Sequence, residues 1–300
     1  MDMTQNKCCR HGASLRRRRR RHRKILRSII FSCSIIAVAV FVAVGSSMIR
    51  SGDGRTNRYD VEAGNNTYDN AVIENSKISE KNKIQNNQSM LDDIMNSTQY
   101  PKQLKDLALK NEEALEFVYD YPAEHVKEHT IDLTEEASMD SVPLFVQWDK
   151  RWGYEKYSGN FFAASGCGPT TLSMVVVYLT HNREASPIAV AKYSKEAGYS
   201  VDGSGSSWTL ISEGCMHYGV KAKAVALDES RMKAELDEGH PIVVNVGPGD
   251  FTDTGHFMVI TGYDDEGFSI NDPNSIEKSG KRWLFRNISS QIRAVWSMYV

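Results

Sequence analysis

Apolar and polar positions divide this chain into stretches of different period. Ser28 to Ile49, SIIFSCSIIAVAVFVAVGSSMI, holds no charged side chain over 22 residues. At about 1.5 Å per residue it reaches about 33 Å, enough for a bilayer core of about 30 Å. The segment 50–90 has the opposite character: it is rich in Asn, Ser, Lys and Glu and poor in aromatics, so it cannot bury a core and reads as a flexible stalk. Within 91–139, helical spacing returns at Leu104, Leu107, Leu109, Leu115 and Val118, and Pro101 suits a helix start. This predicts one or two short helices packed on the C-terminal part of the chain, then a polar connection from His125 to Met139.

The stretch 140–300 has the length of a single domain. Its first half carries helical signals at Cys167 to Thr180, Pro187 to Ala197 and Ser207 to Tyr218; in the first of these, Leu172, Val175, Val176 and Leu179 mark one apolar face. Its second half changes period. HPIVVNV, HFMVITGY, GFSIND and RAVWSMYV are short β-branched or aromatic runs bounded by Gly, Pro and Asp. Helices first and an antiparallel sheet second predict an α+β fold.

Charge sharpens the picture of the N-terminus. Residues 1–27 carry eleven Lys or Arg against one Asp, although the whole chain has a net charge of -2. Such a cluster directly before an uncharged span stays cytoplasmic. The run is therefore read as a membrane flank rather than a nucleic-acid patch: a basic cytoplasmic tail, a signal anchor over 28–49, and everything after Arg50 outside the cell membrane. Ala43-Val44-Gly45 also resembles a signal-peptide cleavage site; the long basic region and the length of the span favour an uncleaved anchor. Only Cys167 and Cys215 then lie outside, either as one disulfide or as one nucleophile and one core residue. There is no CxxC pair and no His/Cys cluster of zinc spacing, so no metal or other cofactor is expected.

Cys167 stands in SGCGPTTLSMVVVYLT, at the mouth of a predicted helix whose first turn admits Pro169. The helix dipole and free N–H groups there favour a thiolate. Gly166 and Gly168 are expected to let a substrate backbone come close. Taken alone, the pattern fits a small buried cysteine equally well. Cys215, in SEGCMHYG, has no such frame and reads as core. A cysteine nucleophile needs a base. Beside His125, His129, His181, His217 and His240, His256 is the histidine that begins a predicted strand, directly after Gly255. The turn Asp264 to Gly267 predicts a hairpin that brings Asp272 near His256, where a carboxylate would orient the imidazole. Asp250 and Asp253 are further candidates for that role, and an ordinary turn at Asp272 is the plain alternative. Gln147, in VPLFVQWDKRWG, offers a side-chain amide that, with the N–H of the nucleophile, would hold an oxyanion. Trp148 and Trp152 beside it read as packing.

In order, QWDKRWG, SGCGPTTLSMV, GSGSSWTLI, GPGDFTDTGHFMVITGYD and NDPNS resemble the papain-like cysteine peptidases. More closely, they are similar to the stand-alone bacterial branch of the bacteriocin-processing, double-glycine leader peptidases, family thirty-nine of the cysteine peptidases. The resemblance implies a papain-like fold, a peptide or protein substrate, Cys167 as nucleophile, His256 as base, Asp272 as orienter and Gln147 as oxyanion donor. Transporter-fused members of that family carry the domain in the cytoplasm, whereas the topology predicted here puts it outside. A hydrolase of cell-wall peptides with the same fold, and a binding module without catalysis, are the alternative functions.

Overall fold

The strand-like runs of the second half hydrogen-bond into one antiparallel sheet. Its strands are β1 (Lys221–Ala224), β2 (Ile242–Val246), β3 (His256–Asp264), β4 (Gly267–Asn271), β5 (Arg282–Trp283) and β6 (Ile292–Tyr299), in the order β1-β6-β2-β3-β4-β5. This computed structural model describes residues 66–300. The basic tail and the span expected at 28–49 lie outside the described residues; no helix among the described residues is long and apolar enough to cross a membrane. The edge strands β1 and β5 were not legible as strands: KAKA and RW are short and cationic, the composition that protects a sheet edge. β2 is buried at every residue because both faces of the sheet are covered, which is why IVVNV shows a continuous apolar run rather than alternation.

One face packs on α3 (Cys167–Thr180) and, behind it, α4 (Pro187–Glu196), through Val243, Phe257, Val259, Trp296 and Met298. α3 was expected to bury one face, but every residue from Gly168 to Val177 is buried. Two of its polar members are tied down: Thr170 Oγ1 donates to Gly166 O at 2.8 Å and Ser173 Oγ to Ala185 O, whereas the buried Thr171 hydroxyl meets no partner. The helix expected over Ser207 to Tyr218 breaks at Glu213 into Thr209–Ser212 and a 3₁₀ segment, Gly214–Tyr218, where Gly214 passes under the ring of Tyr199. The opposite face of the sheet is covered by α5 (Glu229–Asp237), through Met232, and by Ile288, an element from the second half that the sequence pattern did not announce.

Ahead of this domain run α1 (Asn66–Asn96), α2 (Lys102–Lys110) and shorter helical turns to Glu124. The flexible stalk expected up to residue 90 is thus helical from Asn66. Its polarity forbids a core, but the stretch contains no Gly or Pro to stop a helix. From residue 79 to the end of α1 only Ile94 is buried. Leu104, Leu107, Leu115, Phe117 and Val118 pack with Ile94 against Phe161 and Ala163, which precede Cys167; Leu109, at a helical position, is exposed.

Candidate active site

α3 begins at Cys167, so the thiol sits where the helix presents its N-terminal N–H groups. Neither neighbouring glycine serves substrate approach, contrary to expectation. A Cβ at Gly166 would meet the Phe162 ring at 2.6 Å, and one at Gly168 would meet Ser206 Oγ at 2.5 Å. They let the helix start pack against its own protein. Gly255 differs: a Cβ there would find only Val246 O, at 4.0 Å, so the backbone beside His256 is open.

His256 opens β3 and is buried. The hairpin to β4 pairs Val259 with Asn271. That register, continued, sets Asp272 two positions from His256, the spacing that keeps side chains on one side of the pleat. His256 Nε2 lies 2.6 Å from Asp272 Oδ1, and Asn274 N donates to the same oxygen at 2.8 Å. With Nε2 so engaged, Nδ1 is the ring nitrogen left for the thiol of Cys167, which lines the same hollow as His256. Asp272 is fully buried, and its Oδ2 has no hydrogen-bond partner.

The electrostatics follow from these contacts. Burial pushes the Cys167 thiol up, but the hydrogen bond and charge of His256, with the N–H groups of Phe257 and Gly168, outweigh it and hold the thiol below its ordinary value. Burial pulls the His256 imidazole down, but the charge and hydrogen bond of Asp272, then those of Cys167, raise it well above its ordinary value. Both shifts favour a thiolate beside an imidazolium. Cys215 is a fully buried free thiol, pushed up to about 11 by its apolar surroundings.

Gln147 is buried and enters from a loop pinned by Phe145 and Trp152. Its N–H donates to Pro273 O at 2.7 Å and its Nε2 to Ala163 O at 2.7 Å, so it bridges the segments before Cys167 and after Asp272. Its amide retains a second N–H. The alternative carboxylates stay away from His256: Asp250 accepts from Gln291 Nε2, while Asp250 and Asp253 line the cleft. His181 and His240 are engaged elsewhere, with Ala137 O and Glu235.

Cys167 lies where two adjoining hollows of about 650 and 640 Å³ meet. Gln147, His256 and the loop 249–255 line the first, together with Gln103, Asp106 and Lys110 of α2. Ser158, Ser206, half-exposed Trp208 and Arg293 line the second. The wall made by α2 was missed by sequence reasoning, because those polar residues belong to no motif.

Residues 139–300 match the family described as Peptidase_C39 like. The chain belongs to this family. Membership supports a cysteine-peptidase function, and the helix-and-antiparallel-sheet architecture agrees with the papain-like fold of such domains. Among solved structures the chain is similar to the peptidase domain of Streptococcus ComA, described as a bifunctional ABC transporter involved in a quorum-sensing pathway: 19% identity, 53% of this chain and 96% of that one covered, TM-score 0.38. It is also similar to a putative C39-like peptidase from Bacillus anthracis: 16% identity, 53% and 95% covered, TM-score 0.34. No curated protein sequence matches significantly. Cys167, His256, Asp272 and Gln147 all fall within the C39-like region, whereas α2 precedes it.

Proposed function

We propose that this protein is a membrane-anchored, extracytoplasmic cysteine peptidase working through a Cys167–His256–Asp272 triad. The Cys167 thiolate attacks the carbonyl carbon of a peptide bond. The oxyanion that forms is held by the second N–H of Gln147 and by the backbone N–H of Cys167. The His256 imidazolium gives its proton to the leaving amine as the C–N bond breaks, leaving a thioester on Cys167. Neutral His256 then takes a proton from water, whose oxygen attacks the thioester carbonyl. Collapse breaks the C–S bond and returns the thiolate–imidazolium pair, releasing a carboxylic acid that loses its proton to solvent. Asp272 keeps the imidazole oriented and stabilises its charged form without itself becoming protonated.

The observation that carries this reading is the buried contact of His256 with Asp272 in a cleft that Cys167 also lines. The hollows of about 650 and 640 Å³ that meet at Cys167 support it further, since they leave open space beside the thiol for a peptide. The extracytoplasmic location rests on the N-terminal charge pattern alone. Incubating the purified chain with a peptidyl fluoromethyl ketone and mapping the adduct tests the chemistry. A single adduct on Cys167, absent from His256→Ala, supports it. A Cys167 that remains unmodified while the fold is intact points to the binding module instead, and hydrolysis of purified wall peptides but not of unstructured polypeptides points to the wall hydrolase.

A further inference from the structure

The loop that carries Asp272 is gripped by residues that lie before the C39-like region. Asp272 itself is incompletely held: Oδ1 meets His256 and Asn274 N, but the buried Oδ2 meets nothing. Its direction therefore depends on the backbone of residues 272–277. That backbone is fastened residue by residue. Asp272 N donates to Ser279 Oγ at 2.9 Å, and Pro273 O accepts from Gln147 N. Asn274 O accepts from Asn111 Nδ2 at 2.9 Å and from Trp148 Nε1 at 3.3 Å. Beyond it, the carboxylate of Glu113 takes three donors: Ser275 Oγ on Oε1, and Ile276 N at 2.7 Å and Glu277 N at 3.0 Å on Oε2. Asn111 Oδ1 in turn accepts from Glu113 N at 3.0 Å, so the two clamp residues fix one another.

We propose that Glu113, supported by Asn111, is a positioning residue for the triad: it sets the Asp272 loop and, through it, the carboxylate that orients His256. This rests on the proposed catalytic role of Cys167, His256 and Asp272. A carboxylate accepting several N–H and O–H donors makes stronger bonds than a neutral group, and any rearrangement of 272–277 must break all three at once. The functional unit then begins ahead of residue 139, at the Asn111–Glu113 turn, which also continues the cleft wall formed by α2.

The test is alkylation of Cys167 by iodoacetamide across pH, read by mass spectrometry of the Cys167 peptide in the full chain. Wild type is compared with Glu113→Ala, Glu113→Gln and Asp272→Ala, with Glu116→Gln as a charge control on the same segment. In Glu113→Ala, alkylation at pH 6 is expected to slow by about tenfold, equivalent to one pKa unit. Glu113→Gln, which keeps an acceptor but loses the charge, should fall between Glu113→Ala and wild type, and Glu116→Gln should match wild type. Wild-type profiles in both Glu113 variants beside a shifted Asp272→Ala overturn the positioning role alone. If Glu113→Ala does not fold, Glu113→Gln decides, since its overlay on wild type overturns the role equally. A wild type unreactive below pH 7 overturns the triad reading, and this proposal with it.

Discussion

At Cys167 two opposed influences meet, and the site's chemistry depends on which prevails. Burial raises the thiol, while His256 and two backbone N–H groups lower it further. For the oxyanion, the complementary part is the one proposed for Gln147. Gln147→Ala should lower kcat by about 10²- to 10³-fold with little change in KM, because the lost N–H acts on the transition state; steady-state kinetics on any cleaved peptide checks this. The four candidate residues were legible because each stands at a punctuated place: a Gly-Cys-Gly-Pro helix mouth, a Gly-His strand start, the far end of a hairpin, and a Gln among tryptophans. Glu113 and Asn111 were not, for they occupy an ordinary polar turn and meet their partners more than 160 residues later in the chain.

At the scale of elements, apolar period identified α3, α4 and the four long strands, while burial on all sides of α3 exceeded what one apolar stripe implied. The short edge strands and α5 escaped because their sequences are mainly polar and their burial comes from neighbours. The glycines around Cys167 give the clearest correction, since their missing side chains make room for Phe162 and Ser206 rather than for substrate. Gly168→Ala should therefore cost about 1–3 kcal/mol of stability, as overpacking does. Ser206→Gly should return part of that loss, although Ser206 Oγ also bonds Tyr157 OH at 2.6 Å. Denaturant midpoints of the two single variants and the double variant measure the coupling.

For the whole molecule, the helical segment from residue 98 to 138 packs against the domain it precedes. Buried Leu and Phe side chains of the kind found there contribute about 1.5–3 kcal/mol each. A chain starting at residue 98 should fold and keep its activity, because among the described residues it removes only α1, of which just Ile94 is deeply buried from residue 79 onward. A chain starting at residue 139 should melt lower and lose activity, because Phe161 and Ala163 are uncovered and the Asp272 loop loses Asn111 and Glu113. Equal melting temperatures for the two would separate the segment from the domain. The proposed topology has its own check: protease added to intact cells should remove epitopes after Arg50 and spare one at residue 1.

The central claim is that His256 activates Cys167, and the pH dependence of Cys167 alkylation in wild type and His256→Ala tests it most directly. The thiol is lowered and the imidazole raised, so the ion pair persists between the two values. Alkylation, which needs the thiolate, should continue well below the free-thiol pKa of about 8.5 and fail only as pH drops through the depressed thiol value. Removing the imidazolium leaves burial unopposed by its charge, so His256→Ala should react only in alkaline solution. Superimposable profiles for the two proteins would contradict the account.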